Sequence, residues 1–164
     1  KLLVLITFLV FSLFGASPQI GLNEYRNGNI RKAQQIWNHS CDSGDLRSCV
    51  MYGSSLLNSD DNKAVRLYKR ACDGGDATGC FFLSAMYYNG KGVKQNISKG
   101  IELLIQACDG GNAMGCFNLG YMCHIGDGVK QDYQKALWFY GKACDIKYED
   151  GCKNYAKLKK ELGQ

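Results

Sequence analysis

From about residue 20 onward, apolar residues recur at spacings of three and four, in stretches broken by glycine and small polar residues. Ahead of the second elbow, for instance, Ala64, Tyr68 and Cys72 stand at four-residue steps. That period lays apolar side chains along one face of an α-helix, and the glycine breaks mark where each helix stops. The pattern predicts an all-α chain built from helix pairs. The first residues follow another rule. Leu2 to Phe14 is almost wholly apolar, interrupted only by Thr7 and Ser12, and Gly15-Ala16-Ser17 follows. This is the core and small-residue exit of a signal peptide, and it falls short of the roughly 20 residues a membrane-spanning helix needs. Residues 1–17 are expected to be a cleaved signal peptide, leaving 18–164 as a single repeat domain with no stable membrane anchor.

The helix pairs recur with a fixed period. Cys72, Cys108 and Cys144 are 36 residues apart, as are Cys80, Cys116 and Cys152. The segment Ala71-Cys72-Asp73-Gly74-Gly75-Asp76-Ala77-Thr78-Gly79-Cys80 returns as Ala107-Cys108-Asp109-Gly110-Gly111-Asn112-Ala113-Met114-Gly115-Cys116. Asn89-Gly90-Lys91-Gly92-Val93-Lys94-Gln95-Asn96 returns as Ile125-Gly126-Asp127-Gly128-Val129-Lys130-Gln131-Asp132. Such a period marks stacked units, each burying its apolar face against its neighbours. A first copy, Cys41 to Cys49, lies 31 residues upstream, and its glycine loop shrinks to Asn58-Ser59-Asp60-Asp61-Asn62. In the second helix of each unit, Lys32, Lys63, Lys99 and Lys135 stand nine residues before the first cysteine, followed by Ala33, Ala64, Gly100 and Ala136. Trp37, Tyr68, Leu104 and Tyr140 stand four residues before it. The whole set reads as inter-helix packing positions.

Each elbow, at 41–49, 72–80, 108–116 and 144–152, has the form C-x7-C. Gly74 and Gly75 can take the left-handed conformation that ends a helix, and Asp76 can cap the next one. Cys72 then lies in the last turn of one helix and Cys80 in the first turn of the next, within reach of a disulfide. Zinc normally wants roughly two to four residues between cysteines and often histidine partners. Only His39 and His124 are present, so no metal site is expected. Eight cysteines allow many connectivities, but repetition of the short motif favours the local set Cys41–Cys49, Cys72–Cys80, Cys108–Cys116 and Cys144–Cys152. Closing each loop is worth about 2 to 3 kcal/mol by the chain-entropy argument. Cys123 is left over, with Tyr87 in its place one unit earlier. It is expected to be a free thiol used in packing. His124 beside it points about 100° further round the helix, so the two do not form a base-activated pair.

These motifs, A-C-D-G-G-x-A-x-G-C-F-x-L followed by N/I-G-x-G-V-K-Q-N/D-x-x-K, resemble the Sel1-like repeat, a relative of the tetratricopeptide repeat. With its cysteines the pattern is similar to the cysteine-rich Sel1-like repeat proteins of Helicobacter and its relatives, over roughly residues 20 to 160. The resemblance implies an alpha/alpha superhelix with one disulfide per repeat and a secreted or periplasmic bacterial location. It also implies weak penicillin binding and beta-lactamase activity, and effects on host immune cells.

Charge adds little to this picture. The formal net charge is +5, and the basic residues are scattered except for Lys153, Lys157, Lys159 and Lys160. No nucleic-acid footprint is present, and a solvated last helix accounts for the cluster. A serine beta-lactamase needs S-x-x-K with partners such as K-T-G; neither occurs, and two histidines do not supply a zinc route. No catalytic residue and no cofactor is assigned. Repeat surfaces serve recognition. The expected function is a recognition module for a peptide, a peptidoglycan fragment or a protein partner, with weak beta-lactam hydrolysis as the alternative. Candidate groove residues are Tyr52, Tyr87, Tyr88, Asn118, Tyr121 and His124, all on first helices. The polar glycine loops at 89–96 and 125–132 are expected to add specificity.

Overall fold

The computed structural model describes residues 18–164, so the expected signal peptide at 1–17 lies outside the described residues. Helix α1 covers residues 18–26. It is followed by α2 (Ile30–Asp42), α3 (Leu46–Ser55), α4 (Asp61–Asp73), α5 (Ala77–Asn89), α6 (Ile97–Asp109), α7 (Ala113–Ile125), α8 (Tyr133–Asp145) and α9 (Glu149–Glu161). Among the described residues there is no strand, and no helix is long and apolar enough to cross a membrane. Each helix packs mainly on the next in chain order, which makes an α/α superhelix. Helix α9 buries only Gly151 and Leu158 and turns Lys153, Lys157, Lys159 and Lys160 to solvent.

The elbows are short because a helix stop and the next helix's cap fall within the same few residues. Between α4 and α5, Gly75 takes φ 94° and the Asp76 carboxylate accepts the Gly79 N–H at 2.8 Å. Asn112 caps α7 in the same way, through Gly115 at 2.9 Å. Four disulfides cross these elbows, Cys41–Cys49, Cys72–Cys80, Cys108–Cys116 and Cys144–Cys152, with Cα atoms 4.5 to 4.7 Å apart. The last elbow is the poorest. Lys147 holds the left-handed position at φ 66°, and Tyr148 at the N-cap makes no side-chain cap. A non-glycine residue there costs about 1 to 2 kcal/mol, so this turn depends most on its bridge.

Part of each glycine loop serves the fold. Gln95 Nε2 donates to the Tyr88 carbonyl at 2.8 Å, and Gln131 Nε2 donates to that of His124 at 2.9 Å. Asn96 and Asp132 then cap α6 and α8 by accepting the N–H groups of Lys99 and Lys135. These four residues end one helix and start the next, whereas Asn89 and Asp127 of the same loops line a pocket.

Packing follows the repeat with one correction. Ala33, Ala64 and Ala136 are fully buried, as are Tyr68 and Tyr140. Lys32, Lys99 and Lys135 beside them, however, point outward, Lys32 pairing with Glu24 at 2.7 Å and Lys99 with Glu102 at 2.9 Å, whereas Lys63 lies over the buried Tyr52 ring on the preceding helix and donates to its hydroxyl. All four stand in the first turn of their helices, and exposed ion pairs there are worth about 1 kcal/mol or less. A second regularity runs across the pairs. A Cβ on Gly53 would lie 2.9 Å from the Tyr68 ring, one on Gly120 would lie 2.6 Å from the Tyr140 ring, and one on Gly21 would collide with the Trp37 indole. Bulk on the second helix is matched by a missing side chain on the first. In the remaining pair the bulk falls to Leu104, and Ser84 stands in the glycine position.

Candidate functional site

On each first helix, the residues two before, two after and five after the second cysteine share one face, because steps of four and three bring side chains above one another. These are Arg47, Met51 and Ser54 on α3, Thr78, Phe82 and Ala85 on α5, and Met114, Asn118 and Tyr121 on α7; none is buried. Together they make a continuous face across three units. Two pockets open on it, one on either side of α5. The larger, about 620 Å³, is walled by Tyr25, Trp37, Met51 and Phe82, and Arg47 and Asp76 also line it. The smaller, about 280 Å³, lies between α5 and α7, with α6 supplying Gly100, Ile101 and Leu104. Helices α5 and α7 have few direct contacts there. Apolar walls with a few polar groups are the ordinary composition of a ligand pocket.

Three of the six expected groove residues, Tyr88, Asn118 and Tyr121, come together in the smaller pocket. The other three are elsewhere. Tyr52 is 8% exposed in a cluster with Ala33 and Trp37, and its hydroxyl accepts from Lys63 Nζ at 2.8 Å. Tyr87 packs, half-buried, against the cluster around Tyr68. His124 is half-buried edge-on to Tyr133, with Nδ1 3.4 Å from the Tyr140 hydroxyl. Tyr52 and Tyr87 lie three and seven residues after the second cysteine, on the side of the first helix that meets its partners. Met51, Phe82 and Ala85 also line the pockets, and helical register counted from the cysteine marks them where side-chain type does not.

Burial pushes the Tyr140 phenol up to about 12. Asp127, from the next unit's loop, is the main cause that raises the Tyr88 phenol, and burial adds to it. Cys123 is free, 6% exposed, and packed with Leu137, Tyr140 and Leu158. Burial is the main cause that pushes its thiol up, with Asp132 adding and Lys135 opposing. A thiol held protonated is a packing group, not a nucleophile. Among the described residues, no cluster of His, Cys, Asp or Glu has a geometry that holds a metal ion.

The family model described as Sel1 repeat matches residues 44–76, 77–112 and 113–147. No curated protein matches the chain. Among solved structures it is similar to cysteine rich protein B of Helicobacter pylori, at 30% identity over 76% of this chain and 93% of that one, TM-score 0.63. It is also similar to a protective antigen present in uropathogenic Escherichia coli strains and displaying an SLR fold, at 27% identity and TM-score 0.66, covering 77% of this chain but 28% of that one. A Sel1 repeat protein from Oxalobacter formigenes shares the fold at 18% identity and TM-score 0.72, over 84% of this chain and 58% of that one. Sel1 repeats generally mediate protein–protein interaction. Three consecutive repeat matches, with disulfides bridging Cys72–Cys80 and Cys108–Cys116 across their boundaries, lead to one conclusion: this chain belongs to the Sel1 repeat family.

Proposed function

We propose that this chain is an exported recognition module, periplasmic or secreted, whose face of first helices binds an extended segment of a partner protein. The observation that carries the reading is the pair of pockets on one face, flanking α5. A single strand that fills both gains from the linkage, since the second contact forms at high effective concentration. Asn89, Asn118 and Asp127 beside the smaller pocket offer donors and acceptors suited to a peptide backbone. Four disulfides suit an oxidising compartment. There they hold the face rigid and lower the ordering cost of binding.

Panning a library of unstructured peptides against the oxidised protein tests the reading. Enriched peptides are expected to bind Met51→Arg and Asn118→Arg at least tenfold more weakly, about 1.4 kcal/mol. They are expected to bind Trp138→Ser, an exposed α8 position outside both pockets, as tightly as the wild type. Failure to enrich any peptide, or equal loss in the α8 variant, would contradict it. Enrichment of peptidoglycan stem peptides alone would replace the protein partner with the cell wall.

A further inference from the structure

We infer that the smaller pocket is a socket for an aromatic ring supplied by the partner, at the place where neighbouring units supply a ring of their own. This rests on the groove reading above and narrows it to one ligand chemistry.

The inference comes from moving the packing of two tyrosines by one unit. Tyr140 is fully buried with its ring 5.6 Å from that of Phe117, facing Gly120, and within reach of His124. Tyr68 is fully buried, stacked on Phe82 at 5.2 Å, facing Gly53, with its hydroxyl 3.0 Å from Ser54 Oγ. By register, Phe117, Gly120 and His124 become Phe81, Ser84 and Tyr88, while Gly53, Ser54 and Phe82 become Ser84, Ala85 and Asn118. Every one of those residues lines the smaller pocket. The side chain due to fill it is Leu104, in the position of Tyr68 and Tyr140. Leucine brings no ring, and about 280 Å³ opens on the groove where the adjacent units hold a buried phenol. Close-packed interiors do not tolerate such space cheaply, because the lining forfeits its contacts. A guest ring restores them.

The lining also says which ring. The buried part is apolar, with Leu104 and Met122 nearly closed to solvent and Phe81 and Ile101 partly so. The Ser84 hydroxyl there already donates to the Phe81 carbonyl at 2.7 Å. The polar groups Asn89, Tyr121 and Asp127 are exposed, at the mouth. A side chain entering from the groove meets carbon at its tip and polar groups at its backbone, which describes phenylalanine on an extended polypeptide. An aliphatic side chain lacks the ring-on-ring contact with Phe81.

The test uses the oxidised protein with N-acetyl-phenylalanine amide as probe, and the leucine and lysine analogues beside it, followed by amide chemical shifts. The phenylalanine probe is expected to bind at least tenfold more tightly than the leucine analogue, with shifts at Ala85 and Asn118. The double variant Ser84→Gly with Leu104→Tyr restores the neighbouring packing. It is expected to fold with a Tm at or above wild type and to bind the probe at least tenfold more weakly. Ala85→Lys leaves the interior untouched, at the register position of Lys157 in α9, and is expected to weaken binding as well. No binding to wild type, no preference over leucine, or undiminished binding in both variants overturns the socket. Panned peptides that bind wild type and the filled variant alike overturn the socket and leave the groove reading standing. A probe that binds and is lost on filling, while no peptide binds, does the reverse.

Discussion

Reduction of the four disulfides is expected to unfold the array without added denaturant. Each bridge spans eight positions of sequence and closes a loop worth about 2 to 3 kcal/mol in unfolded-state entropy. Four together amount to about 10 kcal/mol, against a net stability of about 5 to 15 kcal/mol for a typical domain. The placement of the bridges sharpens the effect. Cys72–Cys80 and Cys108–Cys116 cross the boundaries at 76/77 and 112/113, so each ties one repeat to the next. In a quasi-linear array stability is a sum of unit and interface contributions, and these bridges act on the interfaces. Replacing Cys108 and Cys116 by alanine is expected to cost about 2 to 3 kcal/mol in urea unfolding monitored by circular dichroism, and to broaden the transition as the two halves uncouple. A fully reduced protein that keeps its helicity and a single sharp melt would contradict this.

Gly120→Ala is expected to destabilise, although helix propensity alone predicts the opposite. Alanine gains about 1 kcal/mol over glycine inside a helix. Its Cβ would lie 2.6 Å from Cδ1 and 2.8 Å from Cε1 of Tyr140, a fully buried ring packed by Phe117 on the same helix. Overpacking of this kind costs about 1 to 3 kcal/mol, which outweighs the propensity gain wherever the ring has nowhere to move. Tyr140→Leu alone is expected to cost about 2 to 4 kcal/mol through the cavity it leaves. Combining Gly120→Ser with Tyr140→Leu recreates the pair found at Ser84 and Leu104. The double variant is expected to be more stable than the sum of its single variants by at least about 1 kcal/mol, and to gain a second pocket that takes the phenylalanine probe. Strict additivity in urea unfolding would show that the glycine and the ring are not matched.

What could be read from the chain follows the range of the interactions involved. An elbow is nine residues long and carries its own helix stop, cap and cysteines, so its structure is local and visible in Cys72 to Cys80. The helix pairs are legible for the same reason. The groove is not local. Whether Tyr52 or Tyr121 faces solvent depends on which side of the first helix meets the second, and only the register counted from the cysteine encodes that. Tyr52 therefore looked like a groove residue while lying in the core. The pocket had a visible half and a hidden half. Leu104 stands out in the series Trp37, Tyr68, Leu104, Tyr140, but the matching glycines at 21, 53 and 120 are lost among the 20 glycines of the chain. Lys63, Lys99 and Lys135 recur because they follow a helix cap, a backbone reason that repetition alone does not distinguish from packing.

Recognition through the face of first helices is tested most directly by amide chemical-shift mapping of the oxidised wild-type protein with a phenylalanine-bearing peptide taken from panning. Shifts at the residues lining the two pockets, on α3, α5 and α7 together with Ile101 and Leu104 of α6 and Trp37 of α2, and centred on Ala85, Asn118 and Tyr121, are the predicted result. Shifts centred instead on the exposed α6 and α8 residues Ile105 and Trp138 would contradict it.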